Sequence, residues 1–298
     1  MTALDSQPQA FDAARLLRHT FAVFRFGAID PTVSLEGTHL VMTSVSPAGP
    51  GWLDASPAAV TLGGAGETFI HARGPDPLGW RDTFAGLEPA HAVIARLQRD
   101  FGDLRIGASG DVYKAALTAT LGQRITAAEA VNQWARLCRA FPTVVETPAG
   151  TLLAPPDPAR LAELSPYQLH RLGIEEARAR TLIAIARVFH RPGQHHIDPQ
   201  AALRRLSVEV PRFGPWTRAL VDAEALGNPD AVAVGDFHLK NVVAHALTGH
   251  ARGTDEEMLA ALSPYAGNRG RVLSWLALGG IAAPKFGPRR RNIDIRTI

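Results

Sequence analysis

Val210-Pro211-Arg212-Phe213-Gly214-Pro215-Trp216-Thr217 is the stretch from which the rest of the chain is read. Pro211, Gly214 and Pro215 mark a tight turn between two apolar runs. A helix can restart directly after it, because proline suits a first helical turn, where its missing N–H would have had no partner. From Trp216 to Leu226 the apolar residues follow helical spacing, so the stretch predicts helix, short hairpin, helix. The N–H groups at the start of the second helix point into the turn, and such an end can bind a phosphate through backbone alone.

Geometry then places the next residue of interest. The helix from Trp216 to Leu226 rises roughly 15 Å at about 1.5 Å per residue. It stops at Gly227-Asn228-Pro229-Asp230, and the return to Gly235 can span up to about 30 Å if extended. Asp236 can therefore come back beside the hairpin, ahead of a new apolar run through Phe237, Leu239, Val243 and Leu247. A carboxylate at a helix start is held ionised by the dipole and the free N–H groups. Alone, such an aspartate is ordinarily a helix cap, and such a turn ordinarily just a turn. The combined order of turn, Trp-Thr, helix, Gly-Asn-Pro-Asp return and capping aspartate points further.

In that order the residues resemble the helix-hairpin-helix (HhH-GPD) DNA glycosylases with a catalytic aspartate, most closely the 3-methyladenine DNA glycosylase II branch. The hairpin pattern of that family, Leu-Pro-Gly-apolar-Gly-x-x-Thr-Ala, is met by Val210, Pro211, Phe213, Gly214 and Thr217, while Arg212 and Arg218 replace Gly and Ala. Asp236 falls where the catalytic aspartate belongs. Trp216 stands where the backbone-cutting branch has a Schiff-base lysine; tryptophan has no amine to serve as that nucleophile. The resemblance thus implies a monofunctional enzyme that hydrolyses the glycosidic bond.

A second match lies upstream. Leu121, Gly122, Gln123, Ile125 and Thr126 follow the family's Leu-Gly-Gln-x-apolar-Ser loop, which enters the DNA minor groove. Arg124 stands where an apolar wedge is typical; an arginine can stack in the gap left by a flipped base or bind a phosphate. A third match is Arg269, aligned with the Arg of the family's Trp-x-Pro-Trp-Arg-Ser, with Tyr265 and Asn268 at the two Trp positions. Ala277 falls where the branch has a base-stacking aromatic. DNA contacts are expected from Gln123, Arg124, Arg212, Phe213, Gly214, Thr217 and Arg269, and a base pocket from Trp216, His238 and Tyr113. No organic cofactor and no metal is implied, although the family hairpin often holds a monovalent cation through backbone carbonyls.

The remaining sequence fits this frame. The chain has 298 residues, 46% hydrophobic and 20% charged, with net charge +3, and a pI near 9.4. That mild basicity is compatible with nucleic acid without requiring it. A single cysteine, Cys138, excludes a disulfide framework and a four-cysteine iron–sulfur cluster. With neither a signal-like start nor a membrane-length apolar run, a soluble, cytoplasmic, monomeric protein is expected.

Residues 1–10 resemble a disordered leader. From Ala13 to Val93 the texture is β, with candidate strands at Phe21–Phe26, His39–Thr43, Ala59–Leu62 and Glu67–Ala72, and a helix near Pro89–Phe101. From Val112 the period is helical. The expectation is an α+β protein: a small antiparallel sheet domain over 1–104, then a helical body over 105–298 with the site in a cleft between helical lobes. Glu175, Glu176, Arg178 and Arg180 are read as a wet helix face. His190, His195 and His196 lack a fourth ligand at a zinc spacing. The basic tail, Lys285 and Arg289 to Arg291, is read as solvated.

The implied partner is double-stranded DNA with damaged bases, and alkylated purines are the implied substrate. Another lesion preference on the same fold, or a DNA-binding protein without useful catalysis, are the alternatives that Arg124, Arg212 and Ala277 keep open.

Overall fold

The computed structural model describes residues 13–284; the expected leader and the basic tail lie outside the described residues. Helix α1 (Ala13–Ala22) precedes strands β1 (Val33–Glu36), β2 (His39–Ser46), β3 (Gly49–Ala55) and β4 (Val60–Gly64). They form one antiparallel meander in the order β1-β2-β3-β4, with Val33 opposite Met42, Met42 opposite Leu53 and Leu53 opposite Leu62. The apolar side chains of alternate positions share one face, which packs on Phe21 of α1 and on Phe24 just after it. Helices α2 (Glu67–Ala72) and α3 (Ala92–Phe101) follow.

Two expected strands are corrected. Phe21–Phe26 covers the end of α1 and a turn, because Phe21 and Phe24 recur at a spacing of one helical turn and are both fully buried. Glu67–Ala72 is α2, which buries Ile70 beside β3.

The helical body begins with α4 (Val112–Leu121) and α5 (Ala127–Ala140). After them come a hairpin of β5 (Val144–Thr147) and β6 (Gly150–Leu153), and helices α6 (Pro158–Ala162), α7 (Pro166–His170), α8 (Glu176–His190), α9 (Pro199–Glu209) and α10 (Pro215–Leu226). These pack around α4, every residue of which is buried. A second lobe contains α11 (Leu239–Thr248), α12 (Asp255–Leu262) and α13 (Arg269–Leu278). Its core also takes Leu16 of α1 and Ile94, Leu97 and Phe101 of α3. The cores therefore do not divide at residue 104: the N-terminal segment supplies both the sheet and part of the second lobe.

Buried charges stitch the sheet to the body. Lys114 of α4 donates to the Phe24 carbonyl and lies 3.9 Å from Asp30 and 3.7 Å from Glu224. Asp30 also accepts from the Trp134 indole at 2.8 Å. Burial, outweighing the pull of Lys114, raises the Glu224 carboxyl from its ordinary 4.5 to about 7. Across the second lobe, the fully buried Arg271 pairs with Asp82 at 2.7 and 2.8 Å and bonds Asn268 and the Leu104 carbonyl. All three guanidinium nitrogens are thereby satisfied, as a buried cation requires.

Candidate active site and nucleic-acid interface

The hairpin between α9 and α10 forms as the prolines dictate. α9 ends at Glu209, Val210 turns extended, and α10 restarts with Pro215 in its first turn. Gly214 caps α10 without any side-chain hydrogen bond, and a β-carbon built on it would meet nothing within 4 Å. The first-turn amides of Trp216 and Thr217 have no carbonyl of their own helix to bond, as at any helix start, and the Gly214 side of that start is open. The Phe213 amide is different: it donates back to the Val210 carbonyl, and its ring is buried in the core. Phe213 is thus corrected from a DNA contact to the plug that seats the hairpin.

The loop after α4 is fastened to this hairpin. Gln123 donates from Nε2 to Thr217 Oγ1 at 2.9 Å and to the Arg212 carbonyl at 3.3 Å. Thr217 is buried, so its hydroxyl serves as an internal bolt. Helix α8 holds both pieces from behind: Arg178 donates to the Leu121 carbonyl at 2.9 Å, and Thr181 to the Pro211 carbonyl at 3.3 Å. Arg178 is buried and also bonds Gln133 at 2.7 Å, which overturns its placement on a wet face. In sequence Arg178 stands among Glu175, Glu176 and Arg180, so its charged neighbours gave no sign that it is buried.

Arg124 and Arg212 are the two non-glycine residues with positive φ among the described residues, at 60° and 66°. Both are exposed, on the two loops that Gln123 joins. The glycine of the family pattern at residue 212 is explained by this left-handed backbone, which an L side chain adopts only at a cost.

Asp236 meets the hairpin at the start of α10. Its Oδ2 accepts from the Trp216 indole N–H at 3.0 Å, and its Oδ1 accepts from the amides of His238 and Leu239 at 2.8 and 2.9 Å. α11 starts at Leu239, so Asp236 caps it from three residues upstream rather than standing at its first position. Burial pushes this carboxyl up, but the indole and the two amides outweigh burial and hold it below the usual aspartate range. The carboxylate is half-buried and ionised, and it joins α10 of one lobe to α11 of the other. Gly122 packs close to the Trp216 ring, with an ideal β-carbon 3.4 Å from Cη2. His238 is exposed beside Asp236, and Phe237, expected in the apolar run of the next helix, instead precedes α11 and is 72% exposed with its ring edge-on to His238 at 5.0 Å. Its place directly after Asp236 is the one signal in the sequence that could have set it apart from the apolar run.

Two more expectations change. Tyr113 is 1% exposed, donates its hydroxyl to the Pro156 carbonyl at 2.9 Å and packs on Phe189, so it belongs to the core and lines no pocket. Arg269 directs Nε and Nη2 onto both oxygens of Asp230, the first at 2.8 Å, so its guanidinium is engaged within the protein. The histidine cluster is structural as well: His195 Nδ1 faces Arg205 at 2.8 Å and His196 Nε2 faces the Arg191 carbonyl at 3.0 Å. Burial, with the neighbouring cations, lowers His195 to about 4. Among the described residues no group of three His, Cys, Asp or Glu could hold a metal ion, and no helix is long and apolar enough to cross a membrane.

Residues 117–266 match the HhH-GPD superfamily base excision DNA repair protein family. No curated protein matches the chain in sequence. In structure the chain is similar to a 3-methyladenine DNA glycosylase from Archaeoglobus fulgidus, with TM-score 0.65 and 15% identity over 88% of this chain and 94% of that one. It is also similar to an 8-oxoguanine glycosylase/lyase from Clostridium acetobutylicum, with TM-score 0.57 and 10% identity over 88% of this chain and 91% of that one. At these identities the likeness is one of fold.

Proposed function

Because the chain belongs to the HhH-GPD superfamily of base excision DNA repair proteins, we propose that it is a monofunctional DNA glycosylase that removes alkylated purines of the 3-methyladenine and 7-methylguanine type. One observation carries this reading: a half-buried carboxylate, Asp236, is kept ionised by three donors beside a helix start that no side chain caps. The hairpin amides of Gly214, Trp216 and Thr217 hold a phosphate of the damaged strand and set its register. Arg124 and Arg212, exposed on the two joined loops, add cationic contacts to the duplex, and Arg124 also lies where a wedge would fill the vacated stack. The damaged nucleotide leaves the helix at a cost of a few kcal/mol, least where the base is already weakly paired.

Cleavage then follows the charge. The C1′–N bond breaks with its electron pair going to the base, which neutralises a purine made cationic by alkylation. Positive charge develops on C1′ and the ring oxygen and faces Asp236, as in other oxocarbenium-like reactions. Water adds to C1′ and loses its proton, leaving an abasic site. No step calls for a cofactor. Trp216 and His238, with Phe237, flank the space beside the carboxylate. The lysines among the described residues support hydrolysis without strand cleavage: Lys114 is buried in the core, and Lys240 lies 3.7 Å from Asp255.

Base release from duplexes carrying 3-methyladenine, 7-methylguanine, hypoxanthine or 8-oxoguanine is the direct test. We expect release of the alkylated purines, loss of release in Asp236→Asn with abasic-DNA binding retained, and no borohydride-trapped adduct. Release of an oxidised or deaminated base instead would reassign the substrate. Absence of release from every duplex would leave only DNA binding.

A further inference from the structure

Between α10 and α11 the chain runs from Gly227 to Gly235 with no regular secondary structure, and it delivers Asp236. Its apolar residues Val232 and Val234 are only partly buried against the second lobe. The placement of this strap therefore rests on polar and backbone contacts: Gly227 and Asn228 bond Asp222 of α10, the Gly235 amide donates to Asp255 of α12 at 3.2 Å, and the middle of the strap is held by the start of α13. The Asp230 carboxylate takes Nε and Nη2 of Arg269 and also the Arg269 amide at 3.0 Å. The Pro229 carbonyl accepts from the Arg271 amide at 2.8 Å. Gly270 sits between them, where a β-carbon would lie 2.7 Å from the Ala231 carbonyl oxygen and 2.9 Å from that of Pro229. Arg271 itself is anchored by its buried pair with Asp82.

We propose that the start of α13 is the seat that positions the catalytic carboxylate, with Arg269 a positioning residue acting through Asp230 rather than a DNA contact. The energetics favour that reading over a merely stabilising one. The Asp230 and Arg269 side chains are 25% and 32% exposed, and ion pairs so accessible to water contribute little to stability. What a two-pronged pair with an added amide bond supplies is direction. The consequence is chemical, because a shift of about 1 Å at a reacting group can lower a rate about 10²-fold. The inference rests on the glycosylase reading for its kinetic arm, and a second arm reads Asp236 without any reaction.

The test uses Arg269→Met, Arg269→Lys, Asp230→Asn and Gly270→Ala in the full chain, each checked for a wild-type melting curve. In single-turnover release of 7-methylguanine, we expect Arg269→Met and Gly270→Ala to be slower by about 10- to 100-fold. Affinity for an abasic-site duplex and its salt dependence should be unchanged. Arg269→Lys, which keeps the charge but not the fork, should recover little, and Asp230→Asn should add nothing to Arg269→Met. The second arm is the Trp216 indole ¹H–¹⁵N resonance, assigned by its absence in Trp216→Phe. It reports the bond to Asp236 and should move in both Arg269→Met and Gly270→Ala.

Unmoved indole resonances overturn the proposal whether or not the wild type releases any base. So does an Arg269→Met variant of full single-turnover rate whose duplex affinity falls with a salt slope reduced by about 0.9, the mark of a lost phosphate contact. A wild type inactive on every duplex, with the indole shift still present, would sink the glycosylase reading alone.

Discussion

Arg212 offers a measurement in which strain and charge come apart. Its φ of 66° places an L residue in the left-handed region, at a cost of about 1–2 kcal/mol. Replacing it with glycine removes that cost but gives the unfolded chain more freedom, worth about 0.5–1 kcal/mol in the other direction. The side chain is exposed, and the hydrogen bond from Gln123 to its carbonyl uses backbone that any substitution keeps. The net expectation for Arg212→Gly is a gain of roughly 0.5–1 kcal/mol, or about 1–3 °C in melting temperature for a chain of this size. Arg212→Ala keeps the β-carbon and therefore the strain, so it should melt with the wild type. Both variants lose the guanidinium, and each should reduce the salt slope of duplex binding by about 0.9 if that group neutralises one phosphate. Thermal melts of the three proteins, followed by binding titrations across salt, give both numbers. An Arg212→Gly protein melting no higher than Arg212→Ala would refute the argument from backbone strain.

Other outcomes follow from the same geometry. Trp216→Phe keeps the ring but removes the donor that lowers the Asp236 carboxyl. Since a depressed carboxyl loses its charge only as pH falls through its folded value, the acid limb of the rate profile should move to higher pH in this variant; an unchanged limb would show that the indole does not set it. Glu224, raised to about 7 from 4.5, binds a proton in the folded state that the unfolded chain has lost. Stability should therefore fall as pH rises from 4.5 to 7, and Glu224→Gln should flatten that trend in melts run across the window. Arg178→Met would leave the Leu121 carbonyl and Gln133 Oε1 without their donor. We expect a loss of about 2–3 kcal/mol in denaturant unfolding, and a loss below about 0.5 kcal/mol would contradict the bracing role.

The sequence was most legible where covalent geometry does the deciding. Pro211, Gly214 and Pro215 leave the backbone little choice, and the hairpin with α10 stands where they indicate. Asp236 was reachable by chain length alone, since the return from Leu226 is long enough to bring it beside Trp216. Reading failed where a residue's fate depends on what distant chain supplies. Arg178 looks like a surface residue until the Leu121 carbonyl and Gln133 meet it, and Tyr113 like a pocket residue until Phe189 and Pro156 enclose it. Glu67–Ala72 has strand-like composition, but packing beside β3 and β4 favours a helix there. Arg269 matched a motif by position, yet the motif carries no record of which way its guanidinium turns.

The shared support behind the two loops has a mechanical meaning. Gln123 fastens one to the other, and α8 holds each from behind through Arg178 and Thr181. With one brace behind both loops, the glycosylase reading leads us to expect that a bound duplex bends more than the loops move. Flexible pyrimidine–purine steps beside a lesion would then speed its removal even though no side chain reads them, because the work of deformation falls on the nucleic acid.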